Sequence, residues 1–265
     1  MTRLITAEFR RLRATRLPLG ILATAALLGG GLAGLMTAVG PENFTPPMPG
    51  LHTETGIRAL LGILGITGFV PAAFGAVAVT SEYRHHTAAV TFLFAPRRWQ
   101  VLAAKLTAYA TVAIGYGTVL AGTAAAAILG VAAARGVPLG LPTGTVLELL
   151  ARVGVAMAAY LLLGVGVGAL LRHQIAALGV VVGYLYLGEP LLMLIPGVNT
   201  AYPVLPGGAT AALTGFTYLT DSVAKELGTA PTPLLSPVVG ALLLATYTII
   251  AAAIAVVIPM RRDIT

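Results

Sequence analysis

The run LPLGILATAALLGGGLAGLMTAV, residues 17 to 39, holds 23 consecutive residues without a charged side chain. A run of that length and polarity matches what an α-helix needs to cross the roughly 30 Å hydrocarbon core of a bilayer. Five more apolar runs follow it, and together they constrain the fold more than any motif does. Only 9% of the residues are charged, 57% are hydrophobic and the mean hydropathy is +0.92. A water-facing domain carries about a quarter charged residues, so this chain belongs in a membrane. The runs are continuous and rich in Ala, Leu, Val and Gly rather than short and alternating, which favours helices over a barrel. The expected fold is therefore an all-α integral membrane protein with six transmembrane helices.

The spans are expected at about 17–38, 58–80, 101–133, 146–171, 174–196 and 237–259, forming one transmembrane domain over residues 17–265. Pro71 is expected to kink the second. The third run is too long for one straight crossing. Ahead of the spans, residues 1–16 (MTRLITAEFRRLRATR) place Leu4, Ile5, Phe9 and Leu12 at helical spacing among five arginines. That pattern suits an amphipathic helix lying on the membrane surface, or a plain basic tail that sets orientation. Six spans put both ends on one side. On that side fall Arg3, Arg10, Arg11, Arg13, Arg16, Arg84, Arg97, Arg98, Lys105, Arg172, Arg261 and Arg262; the other side receives Arg58, Arg135, Arg152 and Lys225. The excess of basic residues assigns both termini to the cytoplasm. The net charge of +7 thus reflects basic loops rather than a nucleic-acid partner.

Several chemistries are excluded or disfavoured. There is no cysteine, hence no thiolate ligand or thiol nucleophile. The two lysines, Lys105 and Lys225, each follow an alanine, so neither completes the Gly-Lys-Ser/Thr of a phosphate-binding loop. His52, His85, His86 and His173 lack metal-ligand spacing. No catalytic or metal-binding residue is expected, and an intramembrane enzyme is disfavoured because the spans are nearly barren of His and Asp. Gly164 and Gly168, four apart in span four, suit close helix packing. Glu148 and Arg152, one turn apart, suit a local ion pair. Glu189, in YLYLGEPLL, is either a functional acid inside the membrane or an interfacial residue at its outer surface.

Residues 81–105, SEYRHHTAAVTFLFAPRRWQVLAAK, form a basic island between spans two and three. Glu82, Tyr83 and Arg84 close the preceding span. Thr87 to Phe94 have the makings of a short amphipathic helix that Pro96 ends. Arg97 and Arg98 can meet acidic groups or lipid phosphates, and Lys105 enters the next span.

This island, the basic N-terminal helix, the long segment 197–236 and the basic–acidic tail RRDIT resemble the type-2 ABC transporter permeases (ABC-2 family) over nearly the whole length. The resemblance implies a cytoplasmic coupling helix between spans two and three and a re-entrant extracellular segment between spans five and six. It also implies coupling through Glu82, Tyr83, Arg84, Thr87, Pro96, Arg97, Arg98 and Lys105, with Arg10, Arg11 and Arg13. The implied partners are two copies of an ABC ATP-binding subunit, a second permease copy (identical or related) and membrane lipids. ATP and Mg would be bound by the partner subunit; this chain would hold no cofactor. The implied function is an exporter of a drug, antimicrobial peptide or lipid-like molecule in a bacterial plasma membrane, a setting that also suits the Ala-, Gly- and Arg-rich composition. Two other readings stand beside it: an ion- or proton-coupled secondary transporter or channel that uses Glu189, and an ATPase-coupled sensor or immunity subunit that transports nothing.

Overall fold

The structure, a computed structural model, describes residues 1–45, 47–84, 98–195, 197–228 and 230–257. Among these residues there is no strand, and six helices are long and apolar enough to cross a membrane: Leu17–Val39, Glu54–Arg84, Trp99–Arg135, Thr143–Leu171, Gln174–Met193 and Pro237–Val257. Several reach beyond the expected apolar windows. Backbone hydrogen bonding carries a helix on into polar residues, which then sit at its ends.

Helix α1 (Thr2–Ala14) precedes the first span. Helix α2 (Leu17–Val39) starts with Pro18 in its first turn, where the missing N–H costs nothing. It widens into a π turn over Leu27–Leu32. The second span is two helices, α3 (Glu54–Ile66) and α4 (Phe69–Arg84). Thr53 caps α3 by accepting from the Gly56 N–H at 3.0 Å. The expected kink at Pro71 falls instead at Thr67–Gly68. A proline ring collides with the carbonyl four residues earlier, here Thr67, so the break lies before the proline and Pro71 sits in the first turn of α4.

Helix α5 (Arg98–Arg135) runs 38 residues without interruption, about 57 Å at 1.5 Å per residue. Helix α6 (Thr143–Leu171) ends at Arg172, which adopts a left-handed conformation (φ 55°) and turns the chain sharply into α7 (Gln174–Met193). Helix α7 contains its own π turn, Tyr184–Gly188. Two short helices follow, α8 (Pro206–Thr214) and α9 (Tyr218–Leu227), and α10 (Pro237–Val257) completes the described chain.

Helix α6 lies at the centre, against α4, α5, α8 and α10. Small residues set its distance from α4. A Cβ added at Gly164 would overlap the Ala72 carbonyl, and one at Gly168 would come 2.7 Å from the Ala76 oxygen. Gly117 and Gly154 bring α5 and α6 together in the same way. Leu60, Leu61, Leu64, Tyr116, Leu150, Met157 and Leu161 fill the core. The outward faces of α2, α7 and α10 expose Leu19, Leu27, Ile175, Leu187, Leu242 and Ile249, as helices facing lipid tails require.

Candidate functional site

Two polar centres lie at opposite ends of this apolar bundle. The first joins α1, the end of α4 and the start of α5. Lys105, 3% exposed, is held between two carboxylates: its Nζ is 3.0 Å from Glu8 Oε2 and pairs with Glu82 Oε1. Arg11 closes on the same Glu82 oxygen at 2.7 Å. Glu8, Arg11 and Leu12 fall on one face of α1 because they are spaced three and four apart, and that face turns inward while Arg10 and Arg13 stay exposed. Among the described residues, two acids and two bases are thus paired. Burial without such pairing is prohibitive for any of these charges.

Around this cluster the same end is closed by two further contacts. The Arg172 guanidinium lies over the Tyr83 ring, 5.5 Å from its centroid. Arg84 NH1 donates to Gln174 Oε1 at 3.3 Å. Of the sequence-predicted coupling residues, the structure thus gathers Arg11, Glu82 and Lys105 in one ion-paired cluster. Tyr83 and Arg84 stand beside it, and Arg10 and Arg13 remain on the surface. Glu82 and Lys105 face the interior rather than outward toward a partner. Thr87, Pro96 and Arg97, with the expected coupling helix, lie outside the described residues; of Arg98 only the backbone, at the start of α5, is described.

The second centre surrounds Glu189. Although it sits in the last turn of the fifth span, its side chain is not in water: the residue is 3% exposed. Its Oε2 accepts from the Gly207 N–H at 2.7 Å. Gly207 is the second residue of α8, so the carboxylate meets the positive end of that helix. The Tyr184 hydroxyl lies close to the carboxyl group, yet Oε1 is buried with no hydrogen-bond partner among the described residues. A cavity of about 250 Å³ opens here between α3, α4, α6, α7 and α8, with Phe69, Tyr160, Tyr186, Tyr202, Thr210 and Phe216 among its walls. The Tyr160 and Thr210 hydroxyls are 3.0 Å apart. Burial, and the neighbouring Glu189, push the Tyr202 phenol above its usual range.

The placement follows from local sequence. Pro190 cannot donate to the helix ladder and crowds the carbonyl of Tyr186, and the π turn at Tyr184–Gly188 absorbs that mismatch. Gly207 must lack a side chain, because a Cβ there would overlap Glu189 Oε2. Elsewhere Glu148 and Arg152 form a local ion pair. No group of three or more His, Asp or Glu among the described residues is placed to hold a metal ion.

Sequence reasoning did not single out Glu8 or the aromatic walls around Glu189. For Glu8 a signal existed: it is the one acid in the arginine-rich stretch 1–16, four residues from Leu12 on the apolar face. No protein-family model matches the chain, and no curated protein matches it.

Proposed function

We propose that this chain is the membrane-spanning permease subunit of an ATP-driven exporter of the type-2 ABC class. The supporting observation is the Glu8–Lys105–Glu82–Arg11 cluster. It ties a surface-lying basic helix to the two helices that frame residues 85–97, the segment carrying the family-like pattern. A push on that segment from a partner would reach α4 through Glu82, α5 through Lys105 and α1 through Glu8 and Arg11 together. The sequence holds no phosphate-binding loop, so ATP and Mg belong to a separate ATP-binding subunit, two copies of which would drive a pair of permease halves between two arrangements. In this reading both termini are cytoplasmic, the membrane is a bacterial plasma membrane and α8 is the re-entrant element between spans five and six. The cargo would be a drug, an antimicrobial peptide or a lipid-like molecule.

Co-purification tests this. The chain is expressed with the ATP-binding-cassette subunit encoded nearest to it, pulled down by a tag, and assayed for ATPase activity. The expected result is a stable complex whose association or turnover falls when Arg97 and Arg98 are both changed to Ala. If no ATPase binds and the double variant behaves like the parent, the reading fails.

The burial of Glu189 favours a second reading, in which the chain is an ion- or proton-coupled transporter or channel that needs no ATPase. Transport that follows an imposed ion or proton gradient in vesicles containing this chain alone, and that Glu189→Gln abolishes, would decide for it.

A further inference from the structure

A carboxylate that only capped helix α8 would need one oxygen. Glu189 supplies that oxygen, Oε2, to Gly207 at 2.7 Å. Its second oxygen is buried in the wall of a cavity and has no hydrogen-bond partner within reach among the described residues, the nearest candidate donor being the Tyr184 hydroxyl beside the carboxyl group. A buried carboxylate oxygen without a donor is costly unless something arrives to satisfy it.

The cavity describes what that something is. At about 250 Å³ it falls just under the roughly 300–1,000 Å³ of sites that take drug-sized ligands, so the occupant is small. Five of its walls are aromatic: Phe69, Tyr160, Tyr186, Tyr202 and Phe216. Phe69 and Tyr186 pack edge to face, with centroids 4.9 Å apart, which fixes the orientation of one wall. Among the described residues, no Lys, Arg or His lines the cavity. One acid, several aromatic faces and no base make a site for a cation, since ring faces and carboxylate both attract positive charge. An anion would meet the carboxylate with like charge, and a neutral donor could hydrogen-bond the oxygen but would leave its charge unbalanced.

We propose that this cavity is a binding site for a small organic ammonium ion, held by Glu189 Oε1 and enclosed by aromatic faces. The site lies within one subunit, at the end of the bundle opposite the Lys105 cluster. It does not depend on the proposed coupling to an ATPase.

The test uses the purified full-length chain in detergent, without any ATPase, and isothermal titration calorimetry. The probes are phenethylammonium, 2-phenylethanol and phenylacetate, which share a ring and a two-carbon reach but differ in charge. Phenethylammonium is expected to bind at least tenfold more tightly than the other two. Glu189→Gln keeps an oxygen for the Gly207 N–H and is expected to weaken the cation at least tenfold while leaving the alcohol unchanged. Gly65→Leu supplies the independent check. The first atom of its side chain has ordinary space, 3.6 Å from Thr210 Cγ2, and the remainder fills the cavity, so cation binding should vanish with the carboxylate still in place. Equal affinity for all three probes, no binding by any, or undiminished cation binding in Glu189→Gln overturns the proposal. If Glu189→Gln does not fold, retained binding in Gly65→Leu overturns it instead. An ATPase that fails to co-purify leaves this result unaffected, so the two ideas fail separately.

Discussion

Replacing Lys105 by Met removes the cation at the centre of the anchor and leaves Glu8 and Glu82 buried together. Their side chains are 10% and 9% exposed, and that of Lys105 is 4% exposed. Arg11, which also pairs with Glu82, is 39% exposed and partly screened by solvent, so it compensates weakly. Breaking a buried pair on one side costs about 3–5 kcal/mol, because a charge is stranded. At about 2–4 °C per kcal/mol for a chain of this size, the midpoint falls by about 6–20 °C. The assay is thermal stability in detergent, read as the surviving monodisperse peak in size-exclusion chromatography. The diagnostic variant is the double substitution Lys105→Met with Glu8→Gln, which removes one charge of each sign and should recover at least half of the loss. A single-variant loss under about 2 °C would refute the argument. So would a double variant whose loss equals the sum of the two singles, since residues sharing a network do not add.

Gly164→Leu should abolish folded yield, because even its Cβ overlaps the Ala72 carbonyl, whereas Gly179→Leu, with nothing within 4 Å, should leave yield unchanged; expression with a fluorescent fusion compares them. Tyr160→Phe deletes a buried hydroxyl 3.0 Å from Thr210 and should cost about 1 kcal/mol in the same thermal assay. The chain has no cysteine, so single cysteines at the exposed positions Arg13 and Asp221 report sidedness cleanly. With a membrane-impermeant maleimide on intact cells, Asp221→Cys should label and Arg13→Cys should not until the cells are opened; equal labelling refutes the orientation.

The spans were legible because hydropathy over 20 residues is a sum that no single substitution hides. Local conflicts were harder to place. Pro71 announced a break, but the carbonyl it displaces belongs to Thr67, so the break is seen four residues away from its cause. The role of Glu82 and Lys105 was only half visible. Their charges marked the interface, but their inward aim depends on Glu8, some 74 residues before Glu82, with Lys105 a further 23 residues on. Glu189 was ambiguous for a similar reason. Whether an acid at the end of an apolar run meets water or protein depends on where α8 returns, and its partner Gly207 lies 18 residues downstream. The aromatic walls come from three helices, α4, α6 and α7, and from the segments on either side of α8, and nothing in the spacing of Tyr160, Tyr202 and Phe216 announces that they meet.

The unbroken length of α5 has a mechanical consequence. Three other spans are interrupted: α2 and α7 by π turns, and the second span by the break at Thr67. Interrupted helices bend locally and dissipate a displacement within a few turns. A rod of about 57 Å does not: pivoted at one end by 5°, it carries the other end sideways by about 5 Å. Lys105 grips this rod near one end, and Arg135, at its last turn, holds the Thr37 carbonyl of α2 at 2.6 Å. A small tilt imposed at the ion-paired end therefore arrives at the far end of the first span as a movement comparable to the width of a side chain.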